Sequence, residues 1–327
     1  MTETNGAKMN NDKKSKTKYL KLIGNVLVII ALIFLVRKFY LLDIDISNYY
    51  SKNNVFIALI LFLIFSILLS LQSLPWVKIV RRICGIKLPF LDGNIVYCKS
   101  SLYKYIPGNV FQYIGRGSIV YQFKGINYSS VISSIIIETM CVVISSIIVS
   151  LIFCWNTVID YLLKRINLLI VILAFIILII LLLIIFRYRI IQIIQKHKII
   201  INSGLIIDII FSILYFSFIL FIQGIMLTVI INQIDDTVLF KNMLTVIGIY
   251  SFSWLVGYLT PGASGGIGVR ETLLCLVLGH YYPESIILIS VVIFRILNIV
   301  SDLGAYLISL LMKNIKKNIS KETNVEA

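Results

Sequence analysis

Residues 105–126 read YIPGNVFQYIGRGSIVYQFKGI, and residues 258–274 read YLTPGASGGIGVRETLL. Each interrupts a longer apolar stretch, 88–125 in the first case and 239–280 in the second. Pro107 stands nine residues before Arg116, and Arg116 nine before Gly125; Pro261 stands nine before Arg270, and Arg270 nine before Gly279. Gly108 and Gly262 follow the two prolines, so one pattern, P-G-x7-R-x8-G, occurs twice. Proline is favoured at the start of a helix, where its missing N–H would be unpaired anyway. Each stretch therefore reads as a hairpin: a descending arm, a turn at Pro-Gly, and a returning helix.

The rest of the chain places these hairpins in a membrane. Of the 327 residues, 59% are hydrophobic and 14% charged, against about 45–50% and ~25% in soluble domains. That balance excludes an ordinary cytosolic enzyme, a disordered regulator and a nucleic-acid binder. A spanning helix needs ~20 mostly apolar residues. Six stretches qualify: 22–42, 55–74, 129–154, 166–186, 204–232 and 285–312. The first follows a polar head, 1–21, without a small-residue cleavage site, and reads as a retained span. Residues 22–312 thus form a single membrane domain, with a tail at 313–327.

The order span, span, hairpin, span occurs in half A, 22–160, and again in half B, 161–312. Three crossings per half invert the second half relative to the first. The expected fold is an all-α integral membrane protein built as an inverted repeat, with six full transmembrane helices and two re-entrant hairpins. The alternative is eight full spans. Lysine and arginine agree with this layout. Lys8 to Lys21, Lys78 to Lys87, Arg187 to Lys198 and Lys313 to Lys321 fall on one side, placing both termini in the cytoplasm. This accounts for most of the net charge of +15 without nucleic acid as a partner.

Broken helices in inverted repeats point their N-termini at anionic groups near the membrane centre. The candidate substrate-binding residues are Pro107, Gly108, Asn109, Gln112 and Arg116 in the first copy. In the second they are Pro261, Gly262, Ser264, Gly265, Gly266 and Arg270. Asn109, Gln112, Tyr113 and Arg116 share one helix face by i, i+3, i+4, i+7 spacing. Arginine forks suit phosphate oxygens; the competing reading is that the glycines serve packing and the arginines snorkel.

Glu138, Asp208, Arg295 and Asp302 lie within spans, where an unpaired charge costs at least ~2.5 kcal/mol. The expected contact is Glu138 with Arg295, or Arg295 with Asp302. Glu271 adjoins Arg270 in sequence but points elsewhere. Glu138 or Glu271 could carry a proton to drive transport, or all these charges could be structural ion pairs. Five irregularly spaced cysteines and two histidines, His197 and His280, offer no metal site, and no cofactor is expected.

The two quoted stretches resemble the lysylphosphatidylglycerol synthase transmembrane region, also called the flippase-like domain family. That family carries Y-x-P-G…G-R…G-I in its first half and P-G-G-x-G-x-x-E in its second. Here Ala263-Ser264 separates Pro261-Gly262 from Gly265-Gly266, a small departure. With the span order, the resemblance covers nearly the whole chain. It implies membrane lipid handling: in two-part members this domain moves an aminoacylated phospholipid that a cytosolic domain makes. About fifteen residues follow the last span, so the expectation is a stand-alone translocase without aminoacyl transfer, not an enzyme. Its cargo would be an anionic phospholipid or a polyprenyl-phosphate-linked lipid, in the inner or plasma membrane of the cell. The alternatives are a polyprenyl-phosphate-dependent glycosyltransferase, resting on Asp43-Ile-Asp45, a small-solute transporter, or a non-catalytic partner of a lipid- or glycan-synthesis enzyme.

Overall fold

Long helices hydrophobic on every face make up most of the molecule, as expected of chains that are solvated by lipid. The computed structural model describes residues 52–105, 111–121, 128–164, 203–234, 242–260, 266 and 268–322. These form α1 (Lys52–Leu71), α2 (Ser73–Cys84), α3 (Phe90–Ser101), a 3-10 turn (Leu102–Tyr105) and α4 (Phe111–Tyr121). Then follow α5 (Tyr128–Lys164), α6 (Ser203–Ile234), α7 (Met243–Leu259), α8 (Val269–Leu278) and α9 (Glu284–Glu322). Among the described residues there is no strand.

Four segments are long and apolar enough to cross a membrane: Val55–Cys84, Ser129–Cys154, Ser203–Ile234 and Ser285–Lys316. They coincide with four of the six expected spans, and the chain is a multi-pass α-helical membrane protein. The expected spans 22–42 and 166–186, the head 1–21 and Asp43-Ile-Asp45 lie outside the described residues. Large apolar side chains line the outside of the bundle at helical spacing. Ile207, Ile210, Leu214 and Phe218 on α6 are all more than half exposed, as are Leu303, Leu307 and Leu311 on α9. A soluble monomer does not present such continuous stripes.

Two helices run further than the hydropathy predicts. The span expected at 55–74 continues to Cys84, interrupted only at Gln72. Pro75 has no N–H for the Leu71 carbonyl, which is the physical reason for a break at that point. The last span, expected to stop at 312 before a tail without helical periodicity, stays helical to Glu322. Propagating an existing helix is easier than starting one, and Lys313 is held to Asp92 of α3 at 2.9 Å.

Between helices the contacts are small and polar, as in membrane bundles generally. A methyl group added at Gly224 of α6 would meet the backbone of Ile247 on α7 at 2.7 Å. One added at Gly248 of α7 would meet Cys154 and Phe153 of α5. Ser145 of α5, fully buried, bonds the Ile213 carbonyl of α6 at 2.8 Å.

The neighbours follow a reciprocal scheme. α5 packs on α6 and α7, while α9 packs on α1 and α3. α4 packs on α3 and on α5, and α8 packs on α7 and on α9. Exchanging α1 and α2 for α6, α3 for α7, α4 for α8 and α5 for α9 carries each of these pairings onto another.

Candidate functional site

A cavity of about 140 Å³ lies among the helices, with α3 to α9 all contributing to its wall. Its wall includes Gln112, Arg116, Glu138, Arg270, Arg295 and Asp302, six of the residues singled out from the sequence. Gln112, Tyr113 and Arg116 reach it together from α4, as the helical spacing predicts. Gly266 lies beside Arg270. Pro107, Gly108, Asn109, Pro261, Gly262, Ser264 and Gly265 lie outside the described residues.

Two carboxylates line the cavity, Glu138 and Asp302, and a third, Glu271, pairs with Arg295 of its wall. Arg116 pairs with Glu138 of α5 at 2.5 Å, and both are nearly fully buried. The Arg116 Nε also donates to Ser100 Oγ at 3.2 Å. Its guanidinium lies 4.0 Å from the Tyr97 ring centre and 5.1 Å from that of Trp76. On the opposite side Lys104 pairs with Asp302 at 2.6 Å, and the Tyr105 hydroxyl donates to the same carboxylate. Glu271 pairs with Arg295 at 3.3 Å and accepts the Gly268 N–H at 2.6 Å, closing the first turn of α8.

These pairs differ from the contacts expected from sequence. Glu138 takes Arg116 from its own half, not Arg295; Arg295 takes Glu271, and Asp302 takes Lys104. The reason is topological. α4 packs against α5, and α8 against α9, so Glu138 finds its opposite charge on α4 and Arg295 finds its own on α8, while Asp302, further along α9, meets Lys104 of the 3-10 turn that follows α3. Lys104 and Tyr105 were not among the candidate residues. The available signal was a lysine three residues before Pro107 inside an apolar stretch, since charges at such depth need a partner.

Arg270 stands apart. It has no ion pair among the described residues, and its Nε is buried without a hydrogen-bond partner. Its guanidinium lies 5.0 Å from the Trp254 ring centre, a contact that stabilises a cation while leaving its N–H groups available. The side chain passes through a slot between Gly257 of α7 and Gly266. A methyl group on either glycine would collide with it. Gly266 also has φ +75°, a conformation that favours glycine. The local sequence thus clears a path that aims the guanidinium into the cavity.

Trp254 stacks on Tyr258 with ring centres 5.0 Å apart and planes 5° from parallel. Tyr258 in turn shares a hydroxyl hydrogen bond with Tyr113 of α4. With three carboxylates matched by Lys104, Arg116 and Arg295, the site has one further positive charge at Arg270. Chemically it is suited to hold a single anionic group. Comparison of the chain with family models, with curated proteins and with solved structures gives no match.

Proposed function

We propose that the protein is a membrane lipid translocase that takes the anionic head of a phospholipid or polyprenyl-phosphate lipid onto Arg270, between two re-entrant hairpins. The observation carrying this reading is the charge balance of the cavity, where Arg270 is a cation without an ion pair among the described residues. An arginine fork binds phosphate through paired, charge-assisted hydrogen bonds. The resemblance to the flippase-like domain family, carried by the two Pro-Gly segments, is in accord with it.

An inverted repeat is supported by the reciprocal pairing of the helices across the two halves. Re-entry, as opposed to eight full spans, is supported by length. The returning arms α4 and α8 have 11 and 10 residues, or roughly 17 and 15 Å at 1.5 Å per residue. The hydrocarbon core is ~30 Å thick. The pairs Arg82–Asp208 and Lys313–Asp92 bring the basic ends of α2 and α9 to the starts of α6 and α3. That grouping supports a single basic face, which the positive-inside rule puts in the cytoplasm with both termini.

The test is transport of fluorescent phosphatidylglycerol in proteoliposomes. Arg270→Gln is expected to slow head-group movement by at least about tenfold, the worth of one charge-assisted hydrogen bond, and Arg270→Lys to retain part of it. Wild-type rates in Arg270→Gln would remove the assignment.

A further inference from the structure

Beside the polar cavity lies a second, apolar one of about 330 Å³. Ile114 of α4 and Ile132, Ile136 and Met140 of α5 form its wall. It opens outward: Ile114 is 53% and Ile132 37% exposed on the surface that meets lipid. The two cavities share Tyr113, Thr139 and Tyr258. At that shared boundary the Tyr113 and Tyr258 hydroxyls are hydrogen-bonded to each other. Contacts run without interruption from Arg270 to Trp254, then Tyr258, then Tyr113. An anion site and an oily, membrane-facing groove therefore meet at one tyrosine pair.

We infer that the groove between α4 and α5 seats the hydrocarbon chain of the lipid whose anionic head rests on Arg270, and that the Tyr113–Tyr258 hydrogen bond bars the passage between the two. This rests on the reading of the cavity as a lipid-head site. A molecule with an anion at one end and a long apolar chain at the other matches both compartments. A free phosphate would match only the first. The volume of the groove falls within the ~300–1,000 Å³ of ordinary ligand pockets. Moving the head inward requires the tyrosines to part, while the chain stays at the bilayer side and is not drawn through the polar cavity.

The full chain, reconstituted in phosphatidylcholine vesicles, can be tested with two photoactivatable probes. One is phosphatidylglycerol with a diazirine midway along one acyl chain; the other is an isoprenyl phosphate with a diazirine on its chain. After irradiation, adducts are mapped by peptide mass spectrometry, and head binding is followed in parallel by native mass spectrometry. With one probe, adducts at Ile132, Ile136 and Met140 are expected to fall at least about tenfold in Arg270→Gln, while those at Leu214 and Phe218 on the outer face of α6 stay constant. The probe that behaves so identifies the source of the chain. Arg270→Lys is expected to restore part of the labelling, separating loss of charge from misfolding. Tyr113→Phe removes the bar and is expected to raise groove labelling about fivefold, the worth of one hydrogen bond; unchanged labelling would refute the bar. If Arg270→Gln abolishes head binding but leaves groove adducts unchanged, the chain lies elsewhere and only this inference falls. If neither probe binds in an Arg270-dependent way, the head site falls with it.

Discussion

Arg116 and Arg270 hold the same place in the twofold pattern, nine residues after proline and nine before glycine, yet their surroundings are opposite. Arg116 is enclosed by Glu138, Ser100, Tyr97 and Trp76. Arg270 has an aromatic face behind it and no ion pair among the described residues. The difference traces to one exchange of sign. In half A α4 supplies the cation, Arg116, and α5 the carboxylate, Glu138. In half B α8 supplies the carboxylate, Glu271, and α9 the cation, Arg295. Each half thus has an ion pair between a short helix and the long helix that follows it. Because Glu271 holds that pair in half B, Arg270 next to it is left without an ion pair among the described residues. Positions that match in the sequence pattern need not match in their surroundings, and the cation without an ion pair marks where the two part.

The largest effect expected from this contrast is on stability. Arg116→Ala strands Glu138 in a site where it is 3% exposed. Breaking a buried pair from one side costs about 3–5 kcal/mol. Arg270→Gln strands no described carboxylate and is expected to leave the unfolding midpoint near that of the wild type. Thermal unfolding of the variants side by side in detergent measures this. Equal losses for the two would erase the distinction between a structural and a functional arginine. The double change Arg116→Met with Glu138→Leu sharpens it, since replacing both partners by apolar groups is expected to recover most of the loss.

Much of this contrast lies beyond sequence reading. Spacing alone places Gln112, Tyr113 and Arg116 on one face, and they do line the cavity together. Hydropathy alone locates the starts of the four described spans to within one residue, while their ends differ by up to ten. The partner of Glu138 was misread, because the expectation set the two long helices α5 and α9 against each other by symmetry. The short helices α4 and α8 instead supply the partners of Glu138 and Arg295, and no one-dimensional pattern reports that placement. Lys104 was overlooked for a related reason: its carboxylate, Asp302, is almost two hundred residues away in the chain. Helix ends were also hard to place, since the limit of apolar composition is not the limit of the hydrogen-bond ladder. α9 continues for a further ten residues past 312.

A second way to probe the comparison is through the glycines that serve only one of the two arginines. Gly266→Ala would put a side chain at φ +75° and into the path of Arg270. The backbone conformation alone costs about 1–2 kcal/mol. The expected outcome is a folded protein with a modestly lower melting point and a loss of lipid movement comparable to that of Arg270→Gln. Gly115 in half A is different in kind. A methyl group there would meet Tyr103, not Arg116, so Gly115→Ala is expected to lower stability without the matching loss of transport. Proteoliposome assays of the two glycine variants, normalised to folded protein, separate these outcomes. Equal transport in both would mean that the slot around Arg270 has no role in aiming it.

The smallest effect concerns ion pairs at the end of the bundle rather than at its centre. Lys313 and Asp92 pair at 2.9 Å, but the lysine side chain is 54% exposed and the aspartate 29%. Charges in that setting gain little over their interaction with water, about 0–1 kcal/mol, and salt screens them further. Lys313→Ala is therefore expected to shift the unfolding midpoint only slightly, and the shift should shrink as ionic strength is raised. The Arg116–Glu138 pair, shut away from solvent, is expected to keep its full effect across the same salt range. A salt titration of both variants measures this directly. If the loss from Arg116→Ala also faded with salt, the central pair would have to be accessible to ions. The cavity would then be an open aqueous vestibule, and the low-dielectric setting on which the proposed anion site at Arg270 depends would be absent.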